Sequence, residues 1–256
     1  MKILCHLLFI LLTSCVDGKA VYIGSTPANN SVKTFLGIPL FDSVDFIRWK
    51  LVTGGDQYAL HCDYGIGKPN TNGFIDPKTI DIKGKLEKEG NFYRLLNNNK
   101  TILLAALNAH VLHFANGDES LMTGNGGWSY NLYSSGADLP ININPKQIVL
   151  KDSMVFQGRT PCREIAKLVL RFSENCYKIK WWLVLYSSKG KPTTYNAWKH
   201  IQPSTGTWKI KNGMIILQAE HPVYFIMPDD NILLFTDAKW NLLQGDEDFG
   251  YTLNRK

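Results

Sequence analysis

Gly206-Thr-Trp-Lys-Ile-Lys-Asn-Gly-Met-Ile-Ile-Leu217 reads as two strands folded back around a two-residue turn. Trp208 and Ile210 fall on one face and Lys209 and Lys211 on the other, the period of a half-buried strand. Asn212-Gly213 suits a type I′ turn, because both residue types tolerate positive φ. Upstream, Lys178 to Tyr186 is rich in aromatic and β-branched residues and ends in the turn cluster Ser187-Ser188-Lys189-Gly190. Downstream, Val223–Met227 and Ile232–Phe235 flank Pro228-Asp-Asp-Asn231 as a further hairpin, and Phe249 to Leu253 forms a closing strand. Turns recurring about every 8–12 residues predict a meander, sandwich or small barrel. Arg163 to Phe172 has apolar residues at helical spacing but suits a strand equally well. Asp81 to Glu89 is charged and weakly periodic, so it reads as an exposed connection.

This pattern occurs twice. Val111-Leu-His-Phe114 aligns with Ile232-Leu-Leu-Phe235 at an offset of about 121. The same offset brings Leu121-Met122 onto Leu242-Leu243, Gly124 onto Gly245, Trp128 onto Phe249, Tyr130 onto Tyr251 and Leu132 onto Leu253. Phe35-x-Gly37 matches Phe156-x-Gly158, and Gly67-Lys68-Pro69 matches Gly190-Lys191-Pro192 with a shift of two. The reading is an all-β chain of two homologous domains, each a small β-barrel or curled sheet. Residues 30–135 form copy 1, 136–150 a linker and 151–256 copy 2. Asp246-Glu247-Asp248 reads as a solvated turn.

The 256 residues are 45% hydrophobic and 20% charged, values of a folded chain and not of a disordered one. A net charge of +6 over this length is too small to mark a nucleic-acid binder, and none is expected. At the N-terminus, Lys2 precedes an apolar run from Ile3 to Leu12, too short for a membrane-spanning helix, which needs about 20 residues. Leu12-Thr-Ser-Cys15 then resembles a bacterial lipobox. Residues 1–14 read as a lipoprotein signal, Cys15 as the lipidation site and 15–29 as a tether. Val16, not Asp, after the cysteine favours the outer membrane by analogy with enterobacterial sorting. The competing reading is an ordinary signal cut after Ala20.

Among the five cysteines, Cys5 leaves with the signal and Cys15 carries lipid. In an oxidising compartment Cys162 and Cys176, 14 positions apart, are the natural disulfide pair. Cys62 is left as a small buried hydrophobe.

Phe156-Gln-Gly-Arg-Thr-Pro-Cys162, followed by strands and Gly206-Thr-Trp208, resembles the NlpE-type lipoproteins of copper resistance and envelope-stress sensing. The resemblance covers about a hundred residues. It implies a lipocalin-like β-barrel and a lipid-anchored, non-enzymatic role in envelope binding or sensing. The family's CxxC is absent here, since Arg163, Glu164 and Ile165 follow Cys162, so its metal chemistry carries over to no residue.

Other constellations read as structural. His61 and Asp63 share a strand face while Cys62 points away, giving too few converging ligands for a metal. His110 and His113 have no histidine counterparts in copy 2. Gly124-Asn-Gly-Gly127 lacks the Lys of a phosphate loop, and no G-x-S-x-G occurs. No catalytic residue, metal or cofactor is expected. The expected partners are the membrane, through the anchor, and either envelope proteins or a small apolar ligand. A carrier of such a ligand and an envelope hydrolase are the alternative functions. Trp181 or Trp182, Trp208, Phe249 and Tyr251 are expected inside, favouring filled barrels.

Overall fold

The computed structural model describes residues 18–142, 147–162, 165, 176–199 and 202–256. Cys15, the whole signal segment and nearly all of 163–172 lie outside the described residues.

The chain forms two closed eight-stranded antiparallel barrels. The first contains β1 (Ala20–Pro27), α1 (Asn30–Leu36), β2 (Phe46–Gly54), β3 (Gln57–Gly67), β4 (Phe74–Glu89), β5 (Phe92–Asn97), β6 (Lys100–Ala106), β7 (Val111–Ala115) and β8 (Asn131–Tyr133). The second contains β9 (Ser153–Thr160), β10 (Ile179–Ser188), β11 (Lys191–Lys199), β12 (Gln202–Lys211), β13 (Met214–Gln218), β14 (Val223–Asp229), β15 (Ile232–Thr236) and β16 (Thr252–Arg255). In each, consecutive strands pair and the first strand closes on the last.

Alternation sets the inner face. On β3, Tyr58, Leu60, Cys62 and Tyr64 enter the core while Ala59, His61 and Asp63 face out. Asn212 and Gly213 have φ of 52° and 80°, the backbone a type I′ turn demands. The helix α1 plugs the first barrel with Val32, Phe35 and Leu36. Asn29 caps its start by accepting from Val32 N, and left-handed Gly37 ends it.

Two equivalent tryptophans anchor the cores. Trp49 Nε1 donates to Thr26 Oγ1 at 2.8 Å, and Trp181 Nε1 donates to Thr160 Oγ1 at 2.9 Å. Their rings meet Phe114 and Phe235, respectively. Trp181, Trp208 and Tyr251 belong to the second core. Trp182 instead faces outward, with Lys256 over its ring.

The repeat is real, but its upstream register differs from the sequence alignment. Phe35 and Gly37 belong to α1 and its cap, whereas Phe156 and Gly158 lie on β9. The counterpart of Gly158 is Gly24 on β1. At both positions the closing strand comes too near for a side chain: a Cβ on Gly158 would lie 2.6 Å from Thr252 O, and one on Gly24 would collide with Asn131 O. Ala20–Pro27 is therefore a barrel strand and not tether, and copy 1 begins ten residues before the expected boundary. Gly67-Lys-Pro69 ends β3 whereas Gly190-Lys-Pro192 turns from β10 into β11, so these are unrelated turns of similar composition. The segment 81–89 is also no connection; it is the second half of the 16-residue β4. There Ile80, Ile82 and Leu86 turn to the core and alternate with exposed Asp81, Lys83 and Lys85, a stripe too short to stand out among the charges.

Candidate functional site

Each sequence candidate has a definite place in the fold. Cys162 and Cys176 form a disulfide, tying the end of β9 to the chain entering β10. Replacing both with alanine should cost about 3 kcal/mol, the loop-closure contribution for a ring of this size, measured as a lower denaturant midpoint. Cys62 is free and buried, and burial pushes its thiol well above the ordinary range, so it is not poised for reaction. His61 lies on the surface, its Nδ1 2.9 Å from Asp81 Oδ1 and its Nε2 3.8 Å from Asp63 Oδ1. Among the described residues no group of three or more His, Cys, Asp or Glu side chains is gathered to hold a metal.

Both barrel interiors are occupied by side chains. Trp49, Phe114, Tyr195, Phe225, Phe235 and Tyr251 are all less than 2% exposed or just at that level.

The most elaborately bonded outer surface is the seam between the barrels. It has a pseudo-two-fold arrangement: corresponding residues of the two copies meet as in an isologous dimer. At its centre Thr252 Oγ1 donates to Asn131 Oδ1 at 2.9 Å, and these are counterparts, 121 positions apart. Gly124 N donates to Asn254 Oδ1 at 2.7 Å, and Asn254 Nδ2 donates to Ser129 Oγ at 3.1 Å. Across the pseudo-axis Tyr133, the counterpart of Asn254, packs on Gly245 and Gly250, the counterparts of Gly124 and Ser129. Beside this lattice, Ala105, Val111 and Leu121 join their counterparts Ile226, Ile232 and Leu242 in one apolar cluster. Buried polar groups need partners, and here Asn131 Oδ1, Ser129 and Gly124 of one barrel meet Thr252 and Asn254 of the other.

Two loops cross the seam. Gly124–Trp128 reaches the second barrel, where Arg159 lies over the Trp128 ring. The 246–248 segment reaches the first barrel. It is not simply a solvated turn: Asp248 accepts from Arg48 at 2.6 Å and from Asn72 at 2.7 Å, and Ser25 donates to Glu247 O. The linker joins in, with Leu139 O accepting from Asn108 Nδ2 and from Leu242 N. His113, buried at the seam, donates from Nε2 to Met122 O at 2.9 Å, and desolvation depresses its pKa to about 4. His110 is separate, bonded to Ser134 Oγ.

Beside the seam, the outer face of β9 and β10 carries Arg159 and Lys180 in register, with Lys178 and Trp182 next to them. Sequence reading found the strand that carries Lys180 and Trp182. It missed Arg159 and Trp128, whose meeting depends on the docking of the two copies.

Comparison with protein-family models, curated proteins and solved structures yields no match to this chain.

Proposed function

We propose that the protein is a lipid-anchored, non-enzymatic module of the bacterial envelope, related in type to the NlpE lipoproteins, that binds or senses a partner through its outer surface. The observation that carries this reading is the filling of both barrels by large side chains, which leaves recognition to the exterior. The position of β1 supports anchoring at Cys15. Ala20 is the first residue of that strand, pairs with Thr53 and packs on the core, so a cut after Ala20 would take a strand residue. A cut before Cys15 leaves β1 whole behind a short leader. Lipid on that cysteine would hold the barrels close to the bilayer, each buried CH₂ contributing about 0.8 kcal/mol. The Cys15→Ala variant should leave the membrane fraction and lose palmitate labelling. A variant that stays membrane-bound and acylated overturns the anchor.

A further inference from the structure

We infer that the outer face of β9–β10 beside the seam is a binding site for a phosphate-type oxyanion, presented by the headgroups of an anionic lipid surface. Four cations line this face. Arg159 and Lys180 are paired in register across β9 and β10, which puts their Cβ atoms about 5 Å apart on one face. Lys178 lies two residues before Lys180, its Nζ 5.6 Å from the Phe249 ring centroid and 4.8 Å from that of Tyr177. Lys256 lies over Trp182, two residues beyond Lys180, at 4.4 Å.

Among the described residues, no ion pair joins any of these four to a carboxylate; the ion pairs present lie elsewhere. Arg159 is half-buried, with its Cζ 5.1 Å from the Trp128 centroid. A guanidinium lying over a ring keeps its in-plane N–H groups available, so the ring holds the fork in place without using its donors. Among the described residues no carboxylate is paired with Arg159, and its burial is a desolvation cost that an incoming oxyanion offsets. Trp128 comes from the first barrel, so the site exists only when the two copies are docked. Aromatic rings between the cations suit an interface, where one end of the ring is apolar and the other wet.

The inference rests on the reading of this protein as an envelope module that binds through its exterior. It does not rest on the anchor, because the test uses residues 16–256, which contain every strand of both barrels. Binding is read by co-sedimentation with phosphatidylcholine vesicles and with equal mixtures of phosphatidylcholine and phosphatidylglycerol. Binding should appear only with the anionic vesicles, weaken as salt rises, and fall about tenfold or more in Arg159→Gln/Lys180→Gln, at unchanged melting temperature. The control Lys189→Gln/Lys191→Gln removes the same charge at the far end of β10 and should bind as the parent does. Inorganic phosphate separates the two sources of the anion. If it shifts the Arg159 Nε–H resonance and displaces the vesicles, the site takes the free oxyanion; if it does neither, the lipid headgroup is the ligand. Equal binding to both vesicle types, or equal loss in both double variants, overturns the site.

Discussion

Trp49→Ala should destabilise the protein by about 3–5 kcal/mol, and Trp181→Ala by a similar amount, among the largest single-residue effects expected in this chain. Both indoles are buried, each in contact with a core phenylalanine and each bonded through Nε1 to a fully buried threonine hydroxyl. Truncation leaves a cavity that closed strands cannot collapse around, and it leaves Thr26 or Thr160 without its donor. The expected reading is a fall in melting temperature of roughly 10 °C. Trp→Phe keeps most of the volume and should cost about 1–2 kcal/mol, mainly the lost hydrogen bond. Because the two tryptophans are counterparts, matched losses would also confirm the equivalence of the two cores. A loss below about 1 kcal/mol at either position contradicts the filled-barrel account.

The second large effect is a dependence on pH. His113 has a folded pKa near 4 because burial disfavours its charged form. The unfolded chain takes up the proton near pH 6.5, while the folded chain stays neutral. Between about 6.5 and 4 the unfolded state therefore binds more protons, and stability falls as pH falls. Above 6.5 the contribution is complete; below 4 no further loss comes from this group. The total is about 3 kcal/mol, from the depression of the pKa. His113 and Asn131 are paired across β7 and β8, and the hydrogen bonds to Met122 O and the Asn131 side chain offset only part of the desolvation. In the second barrel the corresponding residue is Leu234, part of the same seam cluster. His113→Leu should flatten stability across this pH window, at a cost of about 1 kcal/mol at neutral pH for the lost bond to Met122 O. Unfolding midpoints from pH 4 to 7.5 in both proteins give the answer, and identical slopes would remove His113 as the cause.

Local chemistry made much of this fold readable. Asn212-Gly213 and Pro228-Asp-Asp-Asn231 mark hairpins because few residue types accept those turns. Trp208 and Ile210 alternate with lysines because one face is core and the other water. The offset of 121 holds from β7 onward, where the two copies have the same length. It fails upstream because the first copy has a longer β3–β4 arm, which displaces β1 and β2 relative to their counterparts. The second half of that arm interleaves Asp81, Lys83 and Lys85 with the short stripe Ile80, Ile82 and Leu86, and the charges dominate a reading by composition, so it reads as a loop.

The seam was less legible for a different reason. Asn131, Thr252 and Asn254 look like ordinary polar residues at strand ends until the two copies are brought together. Each is nearly or wholly buried and bonded to a group of the other barrel. Gly124 and Gly245 repeat in the sequence without showing that an asparagine or tyrosine from the other copy packs on them. Arg159 and Trp128 lie far apart in sequence, and no periodicity joins them. Pairing across a domain interface depends on docking geometry, which local patterns do not encode.

Native mass spectrometry of residues 16–256 exported to a periplasm, set against the denatured mass, addresses the central claim most directly. A module with filled barrels and exterior recognition should carry no stoichiometric apolar molecule, so its native and denatured masses should agree after salt adducts are removed. A tightly held molecule of lipid or other apolar mass, retained at one or two copies per chain and lost only on unfolding, would contradict that claim and place the function inside the barrels.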